Sequence, residues 1–102
     1  MSEHGVIVHF KYGSTNLKDL HKLEDKLEKE IAKSAVGEYD GNEIAVDGSD
    51  GRLYMYGPDA DKLFSAIEKT LKKTKFMEGA EVTKRYGSIE ENAKETVSII
   101  TK

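Results

Sequence analysis

The sequence predicts an α+β fold in which two amphipathic helices cover one face of an antiparallel sheet. Segments rich in β-branched and aromatic residues alternate with two segments whose leucine and isoleucine residues recur every three or four positions. The chain has 102 residues, one proline and no low-complexity linker. We therefore treat residues 1–102 as a single domain.

The first strand and the first helix follow from the N-terminal part of the chain. Residues 5–12 are mostly β-branched or aromatic, which is typical of a strand. Residues 13–16 interrupt the pattern, and Thr15 or Asn16 can cap the helix that follows and ends near residues 35–37. The apolar stripe of this helix consists of Leu17, Leu20, Leu23, Leu27 and Ile31.

The middle of the chain predicts a hairpin and the second helix. Residues 36–46 favour a strand, and the isolated Gly41 indicates a bulge or a bend within it. Residues 47–51 have the composition of a hairpin loop and lead into a third strand at 52–56. The segment 57–59 starts the second helix, because proline and aspartate suit a helix N-terminus. The apolar stripe of that helix consists of Ala60, Leu63, Phe64, Ile67 and Leu71.

The C-terminal part adds a fourth strand at residues 80–86, followed by a loop or a short helical turn at 87–94. The β-rich segment 96–101 can add a fifth strand at the edge of the sheet. The order β-α-β-β-α-β with right-handed crossovers predicts a ferredoxin-like sandwich. We expect the first and third strands to be central and parallel, so that both helices begin at the same end of the sheet.

Composition excludes several classes of function. The chain has no cysteine, so disulfides, zinc–thiolate sites and thiol catalysis are excluded. A net charge of −3 disfavours binding to duplex DNA, which normally needs a basic surface. The longest apolar run, at residues 6–8, is far shorter than the ~20 residues that span a bilayer. We expect a cytoplasmic protein without a membrane partner.

The histidines and serines form no recognisable catalytic or metal-binding pattern. His4, His9 and His21 lack the spacing of a histidine metal site, and no nucleophile-elbow motif is present. The acidic cluster at residues 40–50 lacks the spacing of a calcium-binding loop, and is typical of solvated turns. We predict no catalytic residue, no metal and no cofactor, which favours a non-enzymatic protein.

One candidate anion site precedes the first helix. Lys11, Gly13, Ser14 and Thr15 place a cation, hydroxyl groups and a glycine at a helix N-terminus, where free N–H groups attract anions. A capped strand-to-helix turn explains the same residues more simply, since no phosphate-loop motif is present.

The sheet face opposite the helices is the main candidate for binding, and the third strand decides its character. If Leu53 and Met55 point into the core, the tyrosines between them point outward. The opposite phase, with the tyrosines buried, stays an alternative because alternation alone does not select the face. For the first phase, the predicted contact surface for a protein partner or a second copy consists of His9, Arg52, Tyr54, Tyr56 and Arg85.

Two other uses of this face remain open. In a dimeric α+β-barrel enzyme or small-molecule binder, two sheets would enclose a pocket lined by His9, Tyr54 and Tyr56. The third candidate is binding of single-stranded RNA, with bases stacked on the tyrosines. The absence of an RNP1 motif and the negative net charge rank RNA last.

Several segments resemble known proteins. The helical residues 27–31, followed by Gly37-Glu38-Tyr39-Asp40-Gly41, resemble part of the B-type protein regulators of ribonuclease E activity. Asn42 stands where that family has tryptophan. The resemblance implies a small ferredoxin-like protein that acts by binding an enzyme. Residues 56–61 and 82–87 are also similar to segments of small uncharacterised bacterial proteins with this element order.

Overall fold

The computed structural model describes residues 3–88 and 92–101, and within them the chain forms a five-stranded sheet and two α-helices. A short 3-10 turn follows the second helix at Lys75–Met77. The α+β class and the fifth strand agree with the sequence prediction. The elements are β1 (His4–Lys11), α1 (Lys18–Ser34), β2 (Glu38–Ile44), β3 (Asp50–Gly57), α2 (Ala60–Lys73), β4 (Glu81–Arg85) and β5 (Glu95–Ile99).

The strands are arranged in the order β2-β3-β1-β4-β5, and every neighbouring pair is antiparallel. The expected parallel arrangement of β1 and β3 is wrong, since Val8 faces Leu53 in an antiparallel register. The crossover through α1 leaves β2 running in the same direction as β1. The short β2–β3 hairpin then reverses the chain, so β3, which lies between β2 and β1, is antiparallel to both. Consequently α1 and α2 begin at opposite ends of the sheet.

The core lies between the two helices and one face of the sheet. The predicted stripe of each helix is buried, except that Leu17 is only partly buried. Burial of each large aliphatic side chain contributes roughly 1.5–3 kcal/mol to folding. The side chains at the centre of this core include Val6, Val8, Leu20, Leu27, Leu53, Met55, Leu63 and Ile67.

The two helices begin with different capping arrangements. The N-cap position of α1 is Leu17, and the side chain of Asn16 accepts a hydrogen bond from the Lys18 N–H at 3.0 Å. The predicted Asn16 cap thus acts from one residue before the N-cap position. Asp59, in the segment predicted to start α2, is its N-cap, and its Oδ1 accepts from two N–H groups of the first turn at 2.9 and 3.2 Å.

Strand β2 is attached to α1 through one carboxylate. The Tyr39 hydroxyl donates to Oε2 of Glu24 at 2.5 Å, and the Asn42 side chain donates to the same oxygen at 2.9 Å. Burial, followed by the hydrogen bond to Glu24, raises the pKa of Tyr39 well above its usual range. The predicted bulge at Gly41 is confirmed by the register shift between Tyr39 and Gly41.

Candidate functional site

The candidate site is the sheet face opposite the helices, here called the open face. Leu53 and Met55 are 0% exposed in the core, so the residues that alternate with them must point the other way. Tyr54 and Tyr56 accordingly lie half-buried on the open face. The predicted phase of β3 is therefore confirmed, and the phase with buried tyrosines is excluded.

The strand register arranges the open-face residues in three rows across the sheet. Directly opposed side chains in such rows have Cβ atoms about 4.5–5.5 Å apart, close enough to contact. The first row is Glu38, Tyr56, Gly5, Arg85 and Glu95; the middle row is Gly41, Tyr54, Ile7, Thr83 and Val97; the last row is Glu43, Arg52, His9, Glu81 and Ile99. All five predicted contact residues thus lie on three adjacent strands of one face.

An apolar stripe occupies the middle row and ends at β5. Ile7 lies directly between Tyr54 and Thr83, and Val97 continues the row. Val97 is 60% exposed and Ile99, in the neighbouring row, is 52% exposed. The predicted contact residues did not include these two, because the sequence alone left open whether residues 96–101 form a strand beside β4.

Arg85 lies across the open face toward Tyr56. Its guanidinium carbon is 5.9 Å from the centre of the Tyr56 ring, and its Nε donates to the carbonyl of Gly87 at 2.7 Å. A Cβ atom at Gly5 would come within 2.9 Å of a guanidinium nitrogen, so the absence of a side chain there leaves room for Arg85. The first row therefore presents an arginine that is already oriented on an aromatic ring.

The β2 side of the open face is acidic and grooved. The Tyr54 hydroxyl donates to the carboxylate of Glu43, and this hydrogen bond raises the pKa of Tyr54. A shallow groove of about 320 Å³ lies beside it and is open to solvent. Its lining consists of Asp40, Gly41, Asn42, Glu43, Tyr54 and Tyr56.

His9 is held between two carboxylates. Its Nε2 lies 2.7 Å from Oδ2 of Asp50, and its Nδ1 lies 3.7 Å from Oε1 of Glu81. A histidine that activates a nucleophile needs one ring nitrogen directed at that nucleophile and the other at an orienting group. Here both nitrogens face carboxylates, so this arrangement favours a structural or binding role.

Two backbone donors of the predicted anion site already have partners. Lys11 is the last residue of β1, and Gly13, Ser14 and Thr15 lie between β1 and α1. The N–H groups of Gly13 and Ser14 donate to the carbonyl of Gly48 at 2.7 and 3.1 Å. These two N–H groups therefore hold the loop against the β2–β3 hairpin and are not available to an anion.

The acidic cluster of the β2–β3 hairpin is engaged locally. Asp47 accepts a hydrogen bond from the Ser49 N–H at 2.9 Å, and hydrogen bonding to Ser49 lowers the pKa of this carboxyl. Among residues 3–88 and 92–101, no three histidine or carboxylate side chains are arranged to hold a metal ion. In the same ranges, no helix has both the length and the apolar character needed to cross a bilayer.

No protein-family model, curated protein or solved structure matches this chain. The residues of the open face and their geometry are therefore the basis on which a function can be assigned.

Proposed function

We propose that this chain is a non-enzymatic, ferredoxin-like protein-binding or regulatory domain that uses the open face as its contact surface. The observation that carries the proposal is the position of Tyr54 and Tyr56, half-buried on the interior strand β3 of the face opposite the helices. The order of the first four strands, with a helix after β1 and after β3, supports the ferredoxin-like assignment.

The open face has the composition of a protein interface. Tyr54, Ile7 and Val97 supply an apolar centre, and Tyr56 and Arg85 supply an aromatic ring with an oriented guanidinium. Tyrosine and arginine are enriched among residues that dominate binding energy, and charged residues are typical of the rim around them. This distribution favours a partner that covers the middle of the sheet.

Chemistry is less well supported than binding. Both nitrogens of His9 face carboxylates, and the groove beside Tyr54 is open to solvent rather than enclosed. Single-stranded RNA is disfavoured because glutamates outnumber arginines in the three rows of the open face. These charges are Glu38, Glu43, Glu81 and Glu95 against Arg52 and Arg85.

Two parts of the proposal rest on the sequence. The resemblance to the regulators of ribonuclease E activity favours an enzyme as the partner, since those proteins act by binding one. A cytoplasmic location is part of the same proposal and is supported by the strongly charged composition, with 34% of residues Asp, Glu, Lys or Arg.

The test compares a Tyr54→Ala/Tyr56→Ala variant with a control on the far side of the molecule. Lys22→Ala/Lys26→Ala provides that control, because both lysines are exposed on α1. A partner captured by the wild-type chain is purified, and its affinity for each variant is measured by calorimetry. Loss of two interface tyrosines at ~2 kcal/mol each predicts a weakening of roughly a thousandfold, with the control unchanged.

The same variants separate binding from folding. Tyr54 faces Ile7 across β1 and Tyr56 stacks near Arg85, so the double variant is expected to lose about 1–2 kcal/mol of unfolding free energy. Undiminished affinity in this variant, or loss of affinity in the α1 control, contradicts the assignment of the open face.

A further inference from the structure

We infer that β5 is a docking edge for a second copy of this chain, in which two antiparallel β5 strands join two sheets into one continuous sheet. The inference concerns the edge of the sheet, and it stands apart from the proposed contact surface around Tyr54 and Tyr56. Strand β5 is the last in the described order and has one neighbour, β4.

Strand β5 directs alternate backbone groups away from β4. The Ile100 N–H donates to the Ala80 carbonyl at 2.9 Å, and the Lys94 carbonyl accepts from the Tyr86 N–H at 2.9 Å. Hydrogen-bonded and non-hydrogen-bonded pairs alternate along an antiparallel ladder, so residues 94, 96, 98 and 100 face β4. The backbone groups of residues 95, 97 and 99 therefore point outward, where another strand can pair with them.

The outward-facing residues also carry exposed apolar side chains. Every residue of β5 is exposed. Val97 and Ile99 are, with Val46, the exposed large hydrophobic residues of the described part of the chain. Strand β5 combines an outward backbone edge with exposed apolar side chains, and it contains neither proline nor lysine, which commonly prevent edge pairing.

The opposite edge of the sheet is protected by a bulge and by charged side chains. Strand β2 contains the bulge at Gly41 and three carboxylates, Glu38, Asp40 and Glu43, with no cation. Pairing of two β2 strands would bring carboxylates of both copies together, whereas β5 contains the single charge of Glu95. Pairing of β5 with β2 would generate an open-ended filament, while pairing of β5 with itself closes as a two-fold dimer.

One register matches the apolar residues of the two copies. With the two-fold axis at Ser98, Val97 of each copy lies opposite Ile99 of the other, and Glu95 lies opposite Thr101. Directly opposed apolar side chains stabilise an antiparallel pair, and the Glu95 carboxylates of the two copies do not face each other in this register. A register with Val97 opposite itself would instead place each Ile99 against Glu95.

Cysteine cross-linking tests this register, because the chain has no native cysteine to interfere. Ser98→Cys places two thiols on the axis in a non-hydrogen-bonded pair, where the Cα separation suits a disulfide. Thr96→Cys is the control, since Thr96 is equally exposed and would lie opposite Ile100. Under mild oxidation, we expect Ser98→Cys to form a disulfide-linked dimer at least about tenfold faster than Thr96→Cys does. Equal rates, or a faster reaction of Val97→Cys, overturn the inference.

Solution mass tests the edge itself. Val97→Pro removes an outward backbone N–H and leaves the hydrogen bonds between β5 and β4 intact. Val97→Thr retains that backbone N–H and replaces valine with a side chain of similar shape. Light scattering over a wide range of concentration should show the wild-type mass rising from 11.4 kDa toward twice that value. Val97→Pro should stay at 11.4 kDa with an unchanged circular-dichroism spectrum, and Val97→Thr should still dimerise.

The outcomes distinguish this inference from the proposed function. The Tyr54→Ala/Tyr56→Ala variant should dimerise as the wild type does, because its substitutions leave β5 intact. Dimerisation that survives Val97→Pro but is lost in the tyrosine variant overturns the β5 assignment and places self-association on the open face. A wild-type chain that stays monomeric at the highest concentration also overturns it, without affecting binding of a different protein.

Discussion

Replacement of Gly48 by alanine is expected to lower the free energy of unfolding through both backbone strain and a close contact between two loops. A control at a second left-handed glycine separates the two effects. Gly48 in the β2–β3 hairpin has φ +74, and Gly13 after β1 has φ +77, so both have a left-handed backbone. A Cβ atom at Gly48 would lie 2.1 Å from the carbonyl oxygen of Ser14, whereas a Cβ atom at Gly13 would have no neighbour within 4 Å. Gly13→Ala is therefore the matched control.

The expected magnitudes follow from this geometry. Left-handed alanine costs about 1–2 kcal/mol relative to an ordinary backbone conformation, and this cost applies to both variants. Relief of the contact at Gly48 must also move the carbonyl that accepts from Gly13 and Ser14 at 2.7 and 3.1 Å. Two weakened hydrogen bonds at about 0.5–1.5 kcal/mol each bring the total for Gly48→Ala to roughly 2–5 kcal/mol.

The assay is urea unfolding followed by far-ultraviolet circular dichroism, because the chain has no tryptophan. We expect both variants to keep the wild-type slope of unfolding free energy against urea concentration. The unfolding free energy in water should be lower for Gly48→Ala than for Gly13→Ala. Equal losses in the two variants would refute the contact between the hairpin and the β1–α1 loop.

Three further predictions test the elements that position the open face. Tyr39→Phe should lower the unfolding free energy by about 1.5–3 kcal/mol by removing the hydrogen bond to Glu24. The raised pKa of Tyr39 stabilises the fold below pH 10.0, and this stability should be lost as pH rises above that value; an identical alkaline decline in Tyr39→Phe contradicts this. Asp59→Ala should lower the free energy of unfolding by about 0.5–2 kcal/mol, measured by thermal or urea unfolding. Asp59→Asn should retain most of the wild-type value. Met55→Ala should lower the free energy of unfolding by about 2–5 kcal/mol, and Tyr54→Ala should lower it by about 1 kcal/mol or less. A larger loss for Tyr54→Ala than for Met55→Ala would contradict the burial of Met55 and the exposure of Tyr54 on β3.

The helices and the bulge could be predicted from the sequence because their causes are local. The stripe from Leu20 to Ile31 has helical periodicity that needs no knowledge of its packing partner. Asp59 caps α2 through groups two and three residues away, and Gly41 interrupts an alternating strand at its own position. Each of these features depends on residues within one or two turns of the chain.

The contact surface was only partly accessible from the sequence. The predicted residues do share one face, but this depended on the assumption that Leu53 and Met55 point inward. A period of two is identical for both faces of a strand, so only packing against the helices selects the buried one. The predicted anion loop shows the same limit, since its N–H groups bind the distant carbonyl of Gly48.

Local periodicity and turn chemistry specify the α+β class, the order of the elements and the residues of each helix stripe, so these features could be predicted from the sequence. The antiparallel pairing of β1 with β3, the pairing of β5 with β4 and the exposure of Val97 and Ile99 depend on the assembled sheet. Strand pairing joins residues far apart in the chain, and its direction and register depend on the whole sheet rather than on any short segment.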